Sequence, residues 1–523
     1  MRLVYNRIIP SYSIDTLWVL SSSVCLIILF EVIVRYIRHK ALNLSARKSD
    51  IILSSKIMTK IMTIQLENAP ISVGAFSRQL QDFDSIRECM TSATITAAID
   101  LPFSLLFLFV IYCLSGFMVI IPIGCMLILI IYCLLIQPAI KRQVEKNARL
   151  NIQKHAELIE NISGLDSIKL ATAENFFQFR WDQLISMVSE SEINIRELSS
   201  SAQTLSYGLQ HLTTIFLTVS GVFCIYNGSL SLGGMIAVMM LGGRSISPIV
   251  QLSILSTRYH QAKSALQQIN KIMHMPEEQQ STTAFIPHPE ITGHFRCNDL
   301  SFSYPGNPKK VLSGISVTIE PGDRIIISGK SGSGKTTLSR LLCGLYQPTE
   351  GTLLINGITS QQFPASLIRQ SIGCLPQTVR VFHGSIRDNI ILGNTHYSDK
   401  EILRAATMSG VMRFITEEQN GFNRLCGEDG KMLSIGQKQC IALARVFLRA
   451  PPILLLDEPL SGMDNSMTEQ TLQSLEEISR QVTLIICTAY PGKIYFADRI
   501  ITLDHGHIIA DGTPNHILQS SIQ

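Results

Sequence analysis

Five long apolar stretches in the first half of the chain constrain its fold more than any other feature. A transmembrane helix needs about 20 predominantly apolar residues to cross a bilayer, and each of the five meets that length. They cover residues 15–37, 97–115, 117–137, 207–227 and 231–255. The sequence therefore predicts an all-α transmembrane domain in which five spans are visible.

The composition agrees with a membrane protein. Only 16% of the 523 residues are charged and the mean hydropathy is +0.25, both unusual for a soluble chain of this length. The net charge of +4 is too small to indicate a nucleic-acid partner. The twelve cysteines show no metal-ligand spacing and are typical of small packing residues in a reduced compartment.

Two long basic loops orient the spans. The segment from Arg35 to Thr96 carries nine Lys or Arg residues and the loop from 138 to 206 carries eight, while the tight turns at 115–116 and 227–229 carry none. Basic loops stay on the cytoplasmic side, so we expect the long loops in the cytoplasm and lipid around the spans.

The start of the chain conflicts with this orientation. Five spans and a cytoplasmic second half would put the N-terminus outside, yet MRLVYNRIIP carries two arginines and no signal peptide. Either the first span is misread or a further span precedes this chain, and we favour the second explanation.

Two charged residues within the spans stand out, because burial of a charge in lipid costs about 2.5 kcal/mol or more. Arg244 is a candidate to line a translocation cavity; the alternative is a position near the interface or a pairing with a neighbour. Asp100, beside Pro102, is interpreted as a helix-boundary residue.

The second half carries a phosphate-binding loop. The predicted strand RIIIS (324–328) leads into GKSGSGKT, followed by a helix-forming run, as the G-x-x-x-x-G-K-[ST] motif requires. Its glycines let backbone N–H groups surround phosphates, Lys335 reaches the β- and γ-phosphates, and the Thr336 hydroxyl ligates Mg²⁺. The predicted ATP-binding loop comprises Gly329, Lys330, Ser331, Gly332, Ser333, Gly334, Lys335, Thr336 and Thr337.

Two further motifs follow this loop. ILLLDE (453–458) predicts a buried strand in which Asp457 holds Mg²⁺ and Glu458 activates the attacking water. LSIGQ (433–437) precedes a helical run, which places Ser434 and Gly436 at a helix N-terminus suited to anions. An α/β P-loop domain over 295–523 therefore follows a membrane domain (1–272) and a polar linker (273–294).

These motifs, in this order, resemble the nucleotide-binding domain of ABC transporters. The resemblance implies that Tyr304 stacks on adenine, that Gln377 links Mg²⁺ to the membrane domain, and that Asp464 ends a catalytic loop, SGMD. LSIGQ resembles the family signature LSGGQ, with Ile435 in place of a glycine, a replacement we expect to be tolerated. In that family Ser434, Gly436 and Gln437 contact the ATP held by a partner subunit, so a homodimer or pseudo-dimer is expected.

The membrane half resembles ABC exporters of the type I secretion branch, the haemolysin-type exporters of unfolded proteins. The stretches VYNRIIP, AFSRQLQDFDSIRE, AIDLPF and GGRSISPIVQ carry this resemblance. It implies six spans, with VYNRIIP at the end of the first, and so a chain that looks truncated at its N-terminus.

The type I resemblance also implies a location and partners. These are a bacterial inner membrane, a polypeptide substrate, a periplasmic adaptor and an outer-membrane channel. Coupling helices that contact the nucleotide-binding domains are expected around 69–80 and 164–169.

One position departs from the family. The strand at 484–487 should lead to a switch histidine that contacts the γ-phosphate, but Ala489 stands there. His505 and His507 lie well downstream and are not expected to replace it. Losing such a group costs about 10²- to 10⁴-fold in rate, so we expect firm ATP binding with slow or absent turnover.

Three functions are compatible with the sequence. The leading hypothesis is ATP-driven export of a polypeptide by type I secretion. The second is export of a peptide, a lipid or a small molecule. The third is a degenerate remnant that binds ATP but neither hydrolyses it nor transports, which Ala489 and the N-terminal truncation both favour.

Overall fold

Long helices build the first half of the chain and an α/β arrangement builds the second. The structure is a computed structural model that describes residues 4–68, 72, 74, 76–78, 86, 94–278, 290–416 and 420–520. The chain divides into two compact units. One combines Met1–Met62 with Pro70–Met275, and the other combines Thr63–Ala69 with Pro276–Gln523.

Among its described residues, the first unit has six helices of six or more residues: α1 (Ile14–Thr63), α2 (Thr94–Ser115), α3 (Ile120–Ser163), α4 (Leu165–Leu170), α5 (Glu174–Tyr226) and α6 (Leu232–Met273). Short helical turns precede α1 at Val4–Ile8 and Ile9–Ser11, and another joins α2 to α3 at Gly116–Val119. Gly116 has φ +59° at this turn, a left-handed conformation that glycine adopts without steric cost.

Four helical stretches among the described residues are long and apolar enough to cross a membrane: Ile14–Thr63, Leu101–Ser163, Glu174–Tyr226 and Leu232–Ile249. The second stretch contains the turn that separates α2 from α3. All five predicted spans coincide with helical segments to within one residue, which confirms a helical membrane-type domain. The number of membrane crossings stays a prediction.

Helices α2, α3, α5 and α6 pack around two apolar clusters. Ile111, Met118 and Leu217 belong to one, and Leu129 and Ile246 belong to the other. On α6, the side chain of Arg244 is exposed on the surface of this unit, and Asp100 lies in the second turn of α2. The functional roles predicted for these two residues stay predictions.

The second unit contains ten strands and eight helices among its described residues. The strands are β1 (Phe295–Phe302), β2 (Leu312–Ile319), β3 (Arg324–Ser328), β4 (Glu350–Ile355), β5 (Ile358–Thr359), β6 (Ile372–Leu375), β7 (Ile453–Asp457), β8 (Thr483–Thr488), β9 (Arg499–Asp504) and β10 (His507–Gly512). The helices are α7 (Lys335–Leu342), α8 (Ala365–Ser371), α9 (Ile386–Ile391), α10 (Asp399–Met408), α11 (Val411–Ile415), α12 (Ile435–Arg449), α13 (Asn465–Ser479) and α14 (Pro514–Ser520).

The strands form two sheets. A four-stranded antiparallel sheet has the order β2-β1-β4-β5, and a six-stranded sheet has the order β10-β9-β3-β8-β7-β6. In the larger sheet β9, β3, β8, β7 and β6 are parallel, and β10 is antiparallel at one edge. The carboxyl ends of the parallel strands therefore meet along one edge, where ligands bind in open α/β sheets.

Both faces of the larger sheet are buried. Ile325, Ile327 and Leu455 pack in a cluster with the four-stranded sheet and α7, while Ile326 and Leu456 pack in a second cluster with α9–α13. Side chains alternate between the faces of a strand, so a strand covered on both sides has a continuous apolar sequence. RIIIS and ILLLDE have this property, and the structure confirms both predicted strands.

A segment from the first long loop packs with the second unit. Ile64 pairs with Glu277, and the backbone N–H of Gln347 donates to the Glu67 carboxylate at 3.0 Å. The predicted coupling stretch 69–80 lies mostly outside the described residues. At the other, 164–169, the structure has the short helix α4; its coupling role stays a prediction.

Candidate nucleotide-binding site

The phosphate loop connects β3 to α7 and requires glycine at two close approaches. At Gly329, with φ +152°, an added Cβ would lie 2.3 Å from the Leu503 carbonyl oxygen. At Gly334, with φ +106°, it would lie 2.6 Å from a methyl carbon of Leu312. The Lys335 ammonium donates to the carbonyl oxygens of Gly329 (2.6 Å) and Lys330 (3.0 Å). The loop therefore curls around the lysine charge.

Other members of the loop differ in exposure. Ser333 and Thr337 are buried and Thr336 is half-buried, whereas Ser331 and Gly332 are exposed. Within the described part of the chain, the buried Ser333 hydroxyl has no hydrogen-bond partner.

Asp457 is a buried acid at the end of β7. It is 2% exposed, and neither carboxylate oxygen has a hydrogen-bond partner among the described residues. Burial raises the pKa of Asp457 above its ordinary value, while the nearby Thr336 hydroxyl and Lys335 ammonium oppose the rise. Oxygen ligands of this kind suit Mg²⁺, and a buried carboxylate needs a positive partner. Asp457 and Thr336 therefore fit the predicted metal site.

Glu458 follows Asp457 with φ +48°, an uncommon conformation for a residue with a side chain. Its carboxylate accepts a hydrogen bond from the Thr488 hydroxyl (3.1 Å) and another from the Ala489 N–H (2.8 Å). The predicted base is thus held at the end of the neighbouring strand. Sequence analysis had not assigned Thr488 any role.

Ala489 is exposed at the end of β8, beside the phosphate loop. It lines a cavity of about 1100 Å³ together with Lys330, Ser331 and Lys493. A side chain at position 489 would therefore extend into space bordered by the phosphate loop. Neither His505 in the β9–β10 turn nor His507 at the start of β10 lines this cavity.

Gln377 and Tyr304 border the site at other points. Gln377 is exposed two residues beyond β6, whose Leu375 pairs with Leu456 one residue before Asp457. Its placement at the same sheet edge agrees with a role near the metal. The Tyr304 hydroxyl lies 3.0 Å from the Thr337 hydroxyl, and its ring packs edge-on against Phe302 and Tyr346.

The signature residues lie at the start of α12. Ser434 is the N-cap, its hydroxyl accepts from the Gln437 N–H (3.2 Å), and the Gln437 side chain accepts from the Ser434 N–H (3.0 Å). An added Cβ on Gly436 would lie 2.6 Å from the Gly462 carbonyl oxygen. Asp464 is likewise the N-cap of α13 and accepts from the Met467 N–H.

Ile435, the departure from LSGGQ, is 70% exposed and packs on Gly462. A Cβ at position 462 would lie 2.7 Å from the Ile435 Cγ2 methyl carbon. The isoleucine therefore fits because its neighbour in SGMD is a glycine.

Comparison with known proteins agrees with this arrangement. A family model described as "ABC transporter" matches residues 312–461. The leukotoxin translocation ATP-binding protein LktB of Mannheimia glucosida is 27% identical over 99% of this chain and 73% of its own length. The exotoxin translocation ATP-binding protein PaxB of Pasteurella aerogenes is 27% identical over the same shares.

The fold has a solved counterpart, a bacterial Atm1-family ABC exporter with ATP bound. It superposes with a TM-score of 0.83 over 98% of this chain and 90% of its own, at 21% identity. At this identity the likeness establishes the fold alone. Residues 312–461 thus match the ABC transporter family model, and the chain has the fold of an ABC exporter, a helical membrane-type domain followed by an α/β nucleotide-binding domain.

Proposed function

We propose that this protein uses ATP to move a polypeptide across the bacterial inner membrane as the ABC component of a type I secretion system. The observation that carries this proposal is the alignment of nearly the whole chain with proteins named for leukotoxin and exotoxin translocation. A periplasmic adaptor and an outer-membrane channel would complete the path. The protein would act as a dimer, with an identical or a related subunit.

The residues have distinct proposed roles in the ATP cycle. Tyr304 stacks on adenine, and the backbone of residues 329–337 with Lys335 binds the phosphates. Thr336, Asp457 and Gln377 would hold Mg²⁺, which would neutralise charge on the phosphates when bound. Glu458 accepts a proton from the water that attacks the γ-phosphate. Ser434, Gly436 and Gln437 contact the ATP bound by the partner subunit, beside Asp464.

Ala489 is expected to affect the rate of ATP hydrolysis. A methyl group neither donates nor accepts a hydrogen bond, so it cannot contact the γ-phosphate or orient water. Nucleotide binding does not require that side chain, because the residues proposed to bind ATP and Mg²⁺ are Tyr304, residues 329–337, Gln377 and Asp457. We therefore propose tight ATP binding with slow hydrolysis in both sites of a homodimer.

The proposal is tested by ATP turnover and secretion with the full chain in lipid nanodiscs and in cells that carry a type I adaptor and channel. We expect slow turnover that Glu458→Gln abolishes, and secretion of a co-expressed type I substrate that Lys335→Met prevents. Export of lipid or small molecules instead of the polypeptide would contradict the proposed substrate class.

A second candidate function is ATP binding without hydrolysis or transport. Ala489 is the observation that favours it, because the missing group acts after ATP has bound. The two candidates differ in one measurement. Turnover that is equal in the natural chain and the Glu458→Gln variant, together with unchanged ATP affinity, would support this second function.

A further inference from the structure

Every polar group of Glu458 has a partner. Its N–H donates to the Cys487 carbonyl oxygen (2.8 Å), and its carbonyl oxygen accepts from the Gln439 side-chain amide (3.1 Å). One carboxylate oxygen accepts from the Thr488 hydroxyl (3.1 Å) and the other from the Ala489 N–H (2.8 Å). The side chain that the mechanism needs as a base is therefore fixed from the end of β8.

The donors themselves are well supported. Thr488 is 7% exposed, and Gln439 on α12 is 3% exposed. The Thr488 oxygen also accepts from the Tyr490 N–H (3.2 Å), so its single proton is directed toward Glu458. Hydrogen bonds to a carboxylate are about twice as strong as those between neutral groups. The backbone of Glu458, at φ +48°, persists in such a conformation because its surroundings hold it there.

This arrangement orients the base and leaves it able to act. An ionised carboxylate has about four acceptor positions, and the two hydrogen bonds occupy one on each oxygen. Each oxygen keeps a position for the proton of a water molecule. The Ala489 N–H belongs to the backbone and does not depend on the side chain at that position. The Thr488 hydroxyl is a side-chain donor, so a substitution at position 488 can remove it.

We propose that Thr488 is a positioning residue for Glu458, and that its hydroxyl keeps the base oriented in a chain without a histidine at position 489. The inference rests on the proposed function, in which Glu458 is the base. The slow hydrolysis expected without that histidine would then depend on the hydrogen bond from Thr488, at the end of β8, to Glu458, next to the end of β7.

The test compares Thr488→Val with Thr488→Ser in the full chain, each in the natural and the Ala489→His backgrounds. Valine keeps the shape and removes the hydroxyl, so we expect kcat to fall about tenfold or more, since small misplacements of catalytic groups have effects of this order. KM and the equilibrium affinity for ATP should stay unchanged, and serine should restore kcat.

A matched control lies in the same strand. Thr483 begins β8, is also buried, and its hydroxyl accepts from the Gly322 N–H at 2.9 Å. Thr483→Val removes a buried hydroxyl of β8 far from Glu458, so it should leave kcat unchanged. If Thr483→Val lowers kcat as much as Thr488→Val does, the effect is general to the strand and the inference is wrong.

A binding measurement makes the test independent of turnover. The complex of ADP with orthovanadate mimics the transition state, which binds more tightly than the substrate. We expect Thr488→Val to weaken its binding by a factor similar to the fall in kcat, and to add no loss in a Glu458→Ala background. A loss that persists without the Glu458 side chain would overturn the inference.

The two proposals fail in distinguishable ways. If no variant hydrolyses ATP, including Ala489→His, the proposed function fails while the vanadate measurement still tests Thr488. If hydrolysis occurs but Thr488→Val leaves both kcat and vanadate binding unchanged, the positioning role fails and the proposed function stands.

Discussion

The ends of β7 and β8 are neighbours in one sheet, with Asp457 paired to Cys487, yet they differ in what they contribute to ATP chemistry. At the end of β7, Asp457 is buried, its carboxylate oxygens have no hydrogen-bond partner among the described residues, and Glu458 follows it. After the end of β8, Ala489 stands where the resemblance to ABC transporters predicts a histidine. We therefore expect ATP binding to be retained and ATP hydrolysis to be slowed, because the residues expected to bind nucleotide are present and one side chain expected to assist hydrolysis is missing.

Restoring the histidine should produce the largest effect. Ala489→His places an imidazole beside the cavity shared with Lys330 and Ser331, so it should raise kcat by about 10²- to 10⁴-fold with little change in ATP affinity. The measurement is ATP turnover of the full chain in nanodiscs. Ala489→Gln serves as a control for side-chain size, because glutamine fills space without the acid–base range of histidine.

An increase that survives in the Ala489→His, Glu458→Gln double variant would show that the imidazole acts without the carboxylate. The two strand ends would then work independently. Unchanged turnover in Ala489→His would mean that the departure at β8 does not limit the rate.

Replacing Asp457 should weaken ligand binding but raise the stability of the ligand-free protein. Its carboxyl has a raised pKa because of burial, so its ionised form destabilises the folded protein at any pH above that raised value. Asp457→Asn should weaken Mg²⁺-dependent ATP binding by up to about 100-fold. Without nucleotide and metal, the same variant should unfold at a higher temperature.

The pH dependence follows from the direction of that shift. The stability gain of Asp457→Asn should be largest near neutral pH and should shrink as the pH falls through the raised pKa, where the natural carboxyl becomes protonated. Asp464→Asn is a control on an exposed acid. A stability gain that does not change with pH would contradict the electrostatic explanation.

The sequence predicted the elements of the site better than the contacts between them. The strands next to the site residues were predictable: β3 leads into the loop that ends at Lys335, β7 ends at Asp457, and β8 ends just before Ala489. Strands buried on both faces have continuous apolar runs between recognisable motifs. The Thr488–Glu458 hydrogen bond and the contact of Ile435 with Gly462 join residues that are distant in sequence. They depend on strand register and helix placement, which no local pattern specifies.

The contact between Ile435 and Gly462 yields a smaller effect, on stability. Gly462→Ala would put a Cβ 2.7 Å from the Ile435 methyl carbon at φ +70°, and overpacking of this kind costs about 1–3 kcal/mol. We expect a lower unfolding temperature, partly restored by adding Ile435→Gly. Gly357→Ala is the matched control, since Gly357 has φ +78° and open space around it. Equal losses in the two single variants would exclude the steric explanation.

The smallest effect concerns two serine caps with the same local structure. Ser434 begins α12 and Ser398 begins α10, and each forms a capping box with the residue three positions later. Replacing either serine by alanine should cost about 1 kcal/mol of stability. Ser434→Ala should in addition weaken ATP-dependent association of two nucleotide-binding domains, measured by cross-linking in nanodiscs, because its hydroxyl is expected to face the partner's ATP. If Ser398→Ala weakens association equally, Ser434 acts only as a helix cap. The chain would then depart from the ABC-transporter pattern at the signature as well as at Ala489.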